Sequence, residues 1–509
     1  MLRQRHRTGR RGPGGAAATA APRQSSRWAA AVLGWAERRP GAPALVEPES
    51  THSYGLLGEA ARQVAALLGR AGWEAAGRMT PGALALPNGL PLVASLLAAA
   101  ASGRPVALLP ASLPPAEAVE LAEAAGAAWL LLPLSAPSAG RPELGRNEAL
   151  GLRLERLEGG GQGWREGDLL AQLTSGSEES PRLAVRTDAA IWNEIVDFAA
   201  DTGDLARATL VCTSQAHSYA LIGGTLTPLA LGGRAGVAPS PEAATVRLLL
   251  ERVRPALLFG VPLLYRRLLE EPSGREALAP AVGLLSAGAP LGRPLQEAFQ
   301  RAYGRRIGQD YGSTEAGVIA LRLVWSPELE ASVGKPVRGR VVSVVGRDGE
   351  PLPPGHIGEV VVRSPALART YLGAGGEERA RAAGLDSGLW RSGDLGWMDA
   401  EGHLFLAGRK SQIVRVAGRE VDTRRLEEAL EAHPGVREAA VVALGRAGAE
   451  GEASGLRLVV AAEPGVTEAE LVECCRRAEG GGRLPLEVRF LPALPRTPAG
   501  KILRPRLAR

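Results

Sequence analysis

A stretch of small residues in the first half of the chain has the composition of a phosphate-binding turn. The apolar segment 168–173 predicts a strand, and directly after it come Thr174, Ser175, Gly176 and Ser177. Main-chain N–H groups and hydroxyls in such a turn can converge on phosphate oxygens. Similar turns also follow strands that bind nothing, so this stretch alone does not establish a nucleotide site.

A second group of residues suited to nucleotide chemistry lies near position 311. The order is Tyr311, Gly312, Ser313, Thr314 and Glu315. An aromatic ring can pack against a base, a glycine allows close approach, hydroxyls can bind phosphate oxygens, and a carboxylate can bind Mg²⁺. An exposed turn is the alternative interpretation.

Three charged residues further along the chain extend the pattern. Asp394, in the turn WRSGDLG, is suited to accept hydrogen bonds from two ribose hydroxyls, and Arg409 follows in GRKSQIVRVAG. Lys501 follows Pro-Ala-Gly in PRTPAGKILR, on a predicted mobile loop that presents one cation. Each alone could be a solvated or ion-paired surface residue, but together the features support a nucleotide-binding enzyme.

The elements that must position these residues alternate between apolar strands and amphipathic helices. Helix-like segments at 53–73, 90–103 and 245–253 are separated by strand-like segments, including 83–87 and 256–260. This alternation predicts an α/β fold of open sheets with helices on both faces. Loops at the strand ends would then carry the chemistry.

The pattern changes twice toward the C-terminus. After about Lys335, short strand-like pieces divided by glycine and proline predict a barrel-like subdomain. The last hundred residues predict a small α+β domain, with one helix stopped by Pro434-Gly435 and another opened by a capping box from Thr467 to Glu470. We therefore predict a disordered basic tail at 1–27, a large domain at 28–408 and a mobile C-terminal domain at 409–509.

Composition excludes several classes of protein. The chain has 509 residues, a net charge of +6 and a sequence pI near 9.6, but seven arginines and no acid lie in residues 1–27, so the remainder is near neutral. We therefore predict no nucleic-acid partner. Apolar runs are too short for an export signal or a membrane span, and the three cysteines form no disulfide framework. These features favour a cytoplasmic protein.

The motifs, taken in order, resemble those of a known superfamily. Besides the stretches above, the resemblance is carried by AHSYALIGGTLTPLALGG, FGVPLLYRRLLE, LSAGAPLG, SVGKPVRG, GEVVVRSP and DAEGHLFLAGRKSQIVRVAGREVD. From about Trp28 to the C-terminus the chain is similar to the adenylate-forming enzymes, which include acyl-CoA synthetases, luciferases and peptide-synthetase adenylation domains.

The resemblance implies a reaction in two steps. The carboxylate of an acid attacks the α-phosphate of Mg-ATP, which yields an acyl-adenylate and pyrophosphate, and a thiol then attacks the acyl carbon. It implies that Lys501 bridges the carboxylate and the α-phosphate, while Thr314 holds that phosphate and Glu315 binds Mg²⁺. Positioning and electrostatics would supply most of the catalysis.

The resemblance also assigns the nucleotide and acyl subsites. Adenine would lie between Tyr311 and the pair Gly288-Ala289, with the ribose on Asp394 and Arg409. The acyl pocket would be lined by His217, Tyr219, Gly260, Val261 and Asp310. His217 could instead be a hydrogen-bonded structural histidine. Many relatives have glycine in place of Asp310, whose carboxylate could narrow the tunnel, meet a polar or amino-bearing substrate, or join a hydrogen-bond network.

In this superfamily the C-terminal domain rotates between the two steps. The resemblance places the hinge at Ser411, where relatives have Asp or Lys, and it places Arg415 and Gly418 beside the thiol channel. Gly418 would leave room for a pantetheine arm. CoA is the preferred acceptor, and the phosphopantetheine of a separate carrier protein is the alternative.

The phosphate-binding turn departs from the superfamily pattern, T-S-G-[ST]-T-G-x-P-K-G. This chain has Glu178 and Glu179 where relatives have Thr and Gly, Arg182 in place of Lys, and Leu183 in place of Gly. Arg182 keeps a cation, but a like charge some 5 Å from the phosphates costs about 3 kcal/mol before screening. Three functions stay open: a complete acid–thiol ligase, a thioester-forming enzyme that uses preformed acyl-AMP, and a silent acyl- or AMP-binding scaffold.

Overall fold

A computed structural model describes residues 26–70, 80–174, 182–270, 278, 283–447, 452–480, 484–496 and 502–508. Strands and helices are numbered along the chain. The first helix begins at Arg27, so the described fold starts within two residues of the predicted end of the basic tail. Residues 1–25 of that tail lie outside the described ranges.

The largest sheet has thirteen strands along one path through the described residues. Their order across the sheet is β17 (Val341–Val345), β18 (Gly358–Arg363), β20 (Trp390–Met398), β21 (Leu404–Arg409), β16 (Ser332–Pro336), β15 (Gly317–Arg322), β14 (Gly308–Ser313), β13 (Gly283–Ser286), β12 (Leu257–Gly260), β10 (Ala208–Val211), β11 (Arg234–Val237), β1 (Pro43–Val46) and β2 (Thr51–Ser53).

This sheet is parallel from β14 to β1 and antiparallel beyond β14. The short strands predicted as a barrel-like subdomain are β16 to β18 with β20 and β21, and they continue the same path. The change from parallel to antiparallel pairing occurs at β14, the strand that carries Tyr311.

Two smaller sheets complete the described fold. Eight strands form the second sheet, in the order β19 (Thr370–Leu372), β9 (Leu183–Thr187), β8 (Asp168–Leu173), β4 (Val106–Leu108), β3 (Gly82–Leu84), β5 (Trp129–Pro133), β7 (Leu152–Arg156) and β6 (Glu143–Asn147). Five strands form the third, namely β23 (Arg419–Asp422), β22 (Ile413–Val416), β25 (Glu452–Ala462) and β24 (Val436–Ala447), with β26 (Leu486–Phe490) paired to β25.

Thirteen α-helices lie in the described ranges. They are α1 (Arg27–Arg38), α2 (Tyr54–Gly69), α3 (Leu90–Ala101), α4 (Pro115–Ala124), α5 (Asp188–Thr202), α6 (Thr227–Ala230), α7 (Ala243–Val253), α8 (Pro262–Glu270), α9 (Arg293–Tyr303), α10 (Gly376–Ala382), α11 (Thr423–Glu431), α12 (Glu468–Ala478) and α13 (Arg504–Leu507). None of them is both long enough and apolar enough to cross a bilayer.

The main hydrophobic core lies between the two larger sheets. Buried side chains of α1, α2 and α3 pack there with strand residues of both sheets, including Leu45 of β1 and Leu84 of β3. Helix α3 is buried along most of its length, which explains its nearly uninterrupted apolar sequence. The alternation of strands and helices in the sequence thus predicted these layers correctly.

The C-terminal residues form a separate core of their own. Leu426 and Leu430 of α11 pack with strand residues of the third sheet, such as Leu458, and with Leu471 of α12. The predicted capping box is present, because Thr467 accepts a hydrogen bond from the Glu470 N–H and the Glu470 carboxylate accepts one in return. A domain that moves as a unit needs a hydrophobic core of its own, and these residues provide one.

Candidate active site

Three predicted nucleotide-binding side chains meet at the antiparallel end of the large sheet. The Tyr311 hydroxyl donates a hydrogen bond to Asp394 Oδ2 at 2.7 Å, and Arg409 Nε lies 2.8 Å from Asp394 Oδ1. Asp394 and Arg409 are direct neighbours because β20 and β21 pair in antiparallel register. Burial, followed by the charge of Asp394, raises the pKa of the Tyr311 hydroxyl well above its usual value. The hydroxyl therefore stays protonated and can donate.

The backbone after Tyr311 bends at a β-bulge between β14 and β15. A Cβ atom at Gly312 would lie 2.6 Å from the carbonyl oxygen of Gly317, so only glycine fits this close approach of the strands. The Ser313 hydroxyl accepts a hydrogen bond from the Ala316 N–H. This tight turn directs Thr314 and Glu315 toward the second sheet.

Thr314 and Glu315 lie beside the root of the predicted phosphate-binding turn. The Thr314 hydroxyl donates to the carbonyl oxygen of Leu173, the last residue of β8, at 3.3 Å. The Thr174 N–H donates to the carbonyl oxygen of Arg182 at 2.8 Å, which closes the turn at its base. Residues 175–181, which include Ser175, Gly176 and Ser177 as well as Glu178 and Glu179, lie outside the described residues.

Two residues that sequence reasoning did not single out connect this region. The Tyr371 hydroxyl donates to Glu315 Oε1 at 3.0 Å, and the Ala368 N–H donates to the Glu315 carbonyl oxygen at 2.6 Å. The guanidinium of Arg182 lies over the Tyr371 ring, 5.6 Å from its centroid. Tyr371 belongs to a short strand in ALARTYL, a segment whose composition carries no sign of a role in catalysis.

The residues predicted to hold adenine follow the next parallel strand. Gly288 and Ala289 come just after β13 and are exposed, and Gly288 has a φ of +83°, in the left-handed region that favours glycine. A Cβ atom at Gly288 would be 4.0 Å from the side chain of Val261. Gly260 ends β12 in register with Ser286, so residues of the predicted adenine and acyl subsites lie at the carboxyl ends of adjacent strands.

Two predicted acyl-pocket residues, His217 and Tyr219, lie at the start of a π-helix. Tyr219 opens a π-helix, Tyr219–Leu226, a form of helix that often occurs at functional sites. The Tyr219 hydroxyl donates to the Leu285 carbonyl oxygen at 3.1 Å, and its ring packs 5.0 Å from that of Phe259. His217 is half-buried, immediately before this helix.

Asp310 is the most unusual group in this region. Its side chain is 6% exposed, and Oδ2 has no hydrogen-bond partner among the described residues. Burial, followed by the negative charge of Glu194, raises the pKa of the Asp310 carboxyl well above its usual value. One of the three interpretations of Asp310 was that its carboxylate joins a hydrogen-bond network. The unpartnered Oδ2 atom does not support that interpretation.

Glu194 is a second residue that sequence reasoning missed. It forms an ion pair with Arg186, with both side chains 1% exposed, and it accepts a hydrogen bond from the Val318 N–H at 3.2 Å. Arg186 also donates to Ser218, next to His217, at 3.1 Å. The sequence did contain a signal for this pair, namely a charged residue on the apolar face of α5. A charged side chain at such a position is buried only when it has a partner, so it predicts a buried ion pair.

The predicted hinge and thiol-channel residues join the large sheet to the third sheet. Ser411 is exposed within a short 3₁₀ turn, Lys410–Gln412, that follows Arg409 directly. Arg415 and Gly418 are exposed on β22 and on the turn after it, where Gly418 has a φ of +75°. The Gly418 N–H donates to Glu452. Lys501 lies outside the described residues.

A magnesium ion fits the donors present if phosphate and water supply most of its ligands. Within the described ranges, no group of three or more acidic, histidine or cysteine side chains could enclose a metal by itself. No described residue hydrogen-bonds Glu315 Oε2, which leaves one carboxylate oxygen for a cation. Mg²⁺ characteristically takes one or two carboxylates together with substrate phosphates and waters.

The fold and the arrangement of these groups define the chain as an enzyme that binds AMP. Residues 33–372 match the family model described as AMP-binding enzyme, and residues 425–501 match the one described as AMP-binding enzyme C-terminal domain. The chain therefore belongs to the AMP-binding enzyme family. The superfamily, the α/β fold and the class of activity, an AMP-forming acid–thiol ligase, are confirmed as predicted from the sequence.

The matches to individual relatives span between about half and two thirds of this chain. A feruloyl-CoA synthase from Amycolatopsis sp. is 31% identical over 342 residues, which is 66% of this chain and 68% of that protein. The fatty acid–[acyl-carrier-protein] ligase ScoC from Streptomyces coeruleorubidus is 32% identical over 254 residues, or 48% of this chain and 47% of that protein.

The fold is also that of a solved structure. O-succinylbenzoate coenzyme A synthetase (MenE) from Bacillus subtilis, in complex with AMP, superposes with a TM-score of 0.77 and covers 95% of this chain and 98% of that chain at 23% identity. At this identity the likeness establishes the fold and not the substrate.

Proposed function

We propose that this protein is an AMP-forming acyl-CoA synthetase that activates a carboxylic acid as its acyl-adenylate and transfers the acyl group to CoA. The observation that carries the proposal is the hydrogen-bonded cluster of Tyr311, Asp394 and Arg409. These residues come from three strands, and the cluster combines an aromatic ring, a buried carboxylate and a cation. That set suits the adenosine half of AMP.

In the adenylation step, the carboxylate of the acid attacks the α-phosphorus of ATP and pyrophosphate leaves. We assign Thr314 to an α-phosphate oxygen and the turn that Thr174 and Arg182 close to the β- and γ-phosphates. Mg²⁺, when bound, would neutralise phosphate charge. We assign Glu315 Oε2 to hold it, and Lys501 to the charge that develops between carboxylate and phosphate.

In the second step, the sulfur of CoA attacks the acyl carbon and AMP leaves as the other product. Asp394 and Arg409 would retain AMP through this step, because we assign them to the ribose and not to the departing pyrophosphate. We assign Arg415 and Gly418 to the path of the pantetheine arm and Ser411 to the hinge that brings them to the site.

The acyl group would lie between the π-helix and β14. His217, Tyr219, Gly260, Val261 and Asp310 are the residues assigned to this pocket. Tyr219 packs against an apolar cluster that includes Phe259 and Leu285, which favours an apolar aryl or aliphatic acid. The name of the feruloyl-CoA synthase, a relative of this chain, supports an aryl acid. A screen of acids by pyrophosphate release would identify the substrate.

CoA is the acceptor we propose, and a phosphopantetheine carrier protein is the alternative. Relatives named as CoA ligases support CoA, while the name of ScoC supports a carrier protein. The two acceptors present the same thiol, so the reacting groups do not separate them. Parallel assays with CoA and with a loaded carrier protein would distinguish the two acceptors.

The central test measures the two half-reactions separately. A complete ligase should catalyse ATP–pyrophosphate exchange with its acid and should also form thioester from supplied acyl-AMP. Thioester formation without exchange would instead indicate an enzyme that uses preformed acyl-AMP, as Glu178 and Glu179 suggest. Absence of both activities across the acid screen would leave only a binding scaffold and would refute the proposal.

A further inference from the structure

Tyr371 is held in place by strand pairing and by the hydrophobic core. Residues of β19 pair with β9 in antiparallel register, with Tyr371 opposite Ala184, two residues after Arg182. The side chain is 3% exposed and packs with Ala184, Ala316 and Ala368. The position of its ring is therefore set by the sheet and by the core.

The hydroxyl of Tyr371 hydrogen-bonds the carboxylate that we assign to Mg²⁺. It donates to Glu315 Oε1 at 3.0 Å, while the same chain segment holds the Glu315 main chain through the Ala368 N–H at 2.6 Å. The Tyr371 hydroxyl thus occupies Oε1, while no described residue hydrogen-bonds Oε2.

The ring of Tyr371 contacts the base of the phosphate-binding turn. The Arg182 guanidinium lies over the ring at 5.6 Å from the centroid, within the range of a cation–π contact. Arg182 also closes the turn, because its carbonyl oxygen accepts a hydrogen bond from the Thr174 N–H. A planar guanidinium can stack on an aromatic face in a way that a lysine ammonium cannot.

We propose that Tyr371 is a positioning residue for adenylation, in which its hydroxyl orients Glu315 toward Mg²⁺ and its ring holds Arg182 beside the ATP phosphates. The inference rests on the proposed function, since it assumes that Mg-ATP binds here. Groups that hydrogen-bond a metal ligand in this way typically change metal affinity by about 10–100-fold when removed. The thioester step, which needs neither Mg²⁺ nor the outer phosphates, does not depend on Tyr371.

The experiment uses two variants of Tyr371 and one matched control. Tyr371→Phe removes the hydroxyl but keeps the ring, and Tyr371→Leu removes both. Tyr54→Phe is the control, since the buried Tyr54 hydroxyl donates only to the main-chain carbonyls of Leu229 and Gly233, at 2.9 Å each, among the described residues. Mn²⁺ binding in the presence of a non-hydrolysable ATP analogue is measured by electron paramagnetic resonance, alongside both half-reactions.

Tyr371→Phe should weaken Mn²⁺ binding with the analogue about tenfold, raise the Mg²⁺ concentration needed for pyrophosphate exchange by a similar factor, and leave thioester formation from acyl-AMP unchanged. Tyr371→Leu should also weaken binding of the analogue itself. Tyr54→Phe should change thermal stability only.

Two results would overturn the inference. One is wild-type Mn²⁺ affinity in Tyr371→Phe. The other is an equal loss in both half-reactions together with a fall in melting temperature like that of Tyr54→Phe, which would mark Tyr371 as merely structural. Failure of the wild-type enzyme in both half-reactions would refute the proposed function instead, and absence of Mn²⁺–analogue binding to the wild-type protein would refute both.

Discussion

Asp310 places a carboxyl group in a buried site that already contains the charge of Glu194. Arg186 pairs with Glu194, and Asp310 Oδ2 has no hydrogen-bond partner among the described residues. The folded protein therefore holds the Asp310 proton more tightly than the unfolded chain does. By linkage, the contribution of this group to stability is greatest at low pH and is lost as the pH rises above the usual pKa of an aspartate, about 4.

We predict that Asp310→Asn stabilises the protein relative to wild type, and more so at pH 8 than at pH 5. An amide keeps the shape of the protonated acid but cannot ionise, so it avoids a cost of up to about 1.4 kcal/mol per pH unit. Melting temperatures of both proteins at the two pH values test this. A difference between the proteins that does not change with pH would contradict it.

Asp394 shares its two carboxylate oxygens between Tyr311 and Arg409. An anionic acceptor binds the two ribose hydroxyls better than a neutral one, because hydrogen bonds to charged groups contribute about 1.5–3 kcal/mol. We predict that Asp394→Asn weakens AMP binding by about ten- to a hundredfold, as measured by isothermal titration calorimetry.

A matched control for this variant lies on the same hairpin. Asp399 binds the ring and main chain of His403 in the next turn and has no contact with Tyr311 or Arg409 among its described hydrogen bonds. Asp399→Asn should therefore bind AMP with wild-type affinity. Equal losses in the two variants would indicate damage to the hairpin and not loss of a ribose contact.

At the scale of elements, the hairpin between β8 and β9 carries the predicted phosphate-binding turn. Its base is closed by Thr174 and Arg182, and Thr314 contacts its first strand. The chain therefore holds the root of the turn beside Thr314, while Glu178 and Glu179 lie outside the described residues. Whether these residues impair adenylation stays a prediction from the sequence.

We predict that the double variant Glu178→Thr/Glu179→Gly lowers KM for ATP in pyrophosphate exchange by about tenfold or more. It removes two like charges, each costing about 3 kcal/mol before screening at 5 Å, and it restores a flexible glycine. Thioester formation from acyl-AMP should not change. An unchanged KM for ATP would show that the carboxylates point away from the phosphates or bind the metal.

At the scale of the whole molecule, two cores are joined at Arg409 to Ile413. The large domain supplies the nucleotide cluster, and the third sheet carries its own core of α11, α12 and strands. An ion pair between Arg347 and Glu420 connects the two parts at 3.0 Å, and both side chains are exposed, so it contributes little to a fixed orientation. Movement of the small domain between the half-reactions remains a proposal.

We predict that Lys501→Ala slows adenylation by about 10²–10³-fold, comparable to the loss of one preorganised group that stabilises developing charge. Formation of thioester from supplied acyl-AMP should fall much less, because the lysine would have left the site in that step. Lys410→Ala is a suitable control, since Lys410 lies near the hinge and contacts Glu359 at 3.4 Å. An equal loss in both half-reactions for Lys501→Ala would contradict the alternation of domains.

Much of the fold could be predicted because its signals are local. Apolar runs, helical periodicity and the capping box at Thr467 each depend on residues close in the chain, and the predicted alternation of strands and helices matches the layers observed. The strands after Lys335 were predicted as an antiparallel or barrel-like subdomain. Their continuation of the large sheet depends on pairing between β15 and β16 and between β16 and β21, which no local pattern encodes.

The sequence by itself determined the family, the order of the motifs and the chemical type of each candidate group, since these depend only on residue identity and spacing. Tertiary structure alone decided which groups meet. Tyr311 reaches Asp394 across 83 positions, and Tyr371 reaches Glu315 across 56. Such contacts arise from strand register and burial, which also bring Asp310 next to Glu194. For that reason, the residues that tune the site became visible only in the folded chain.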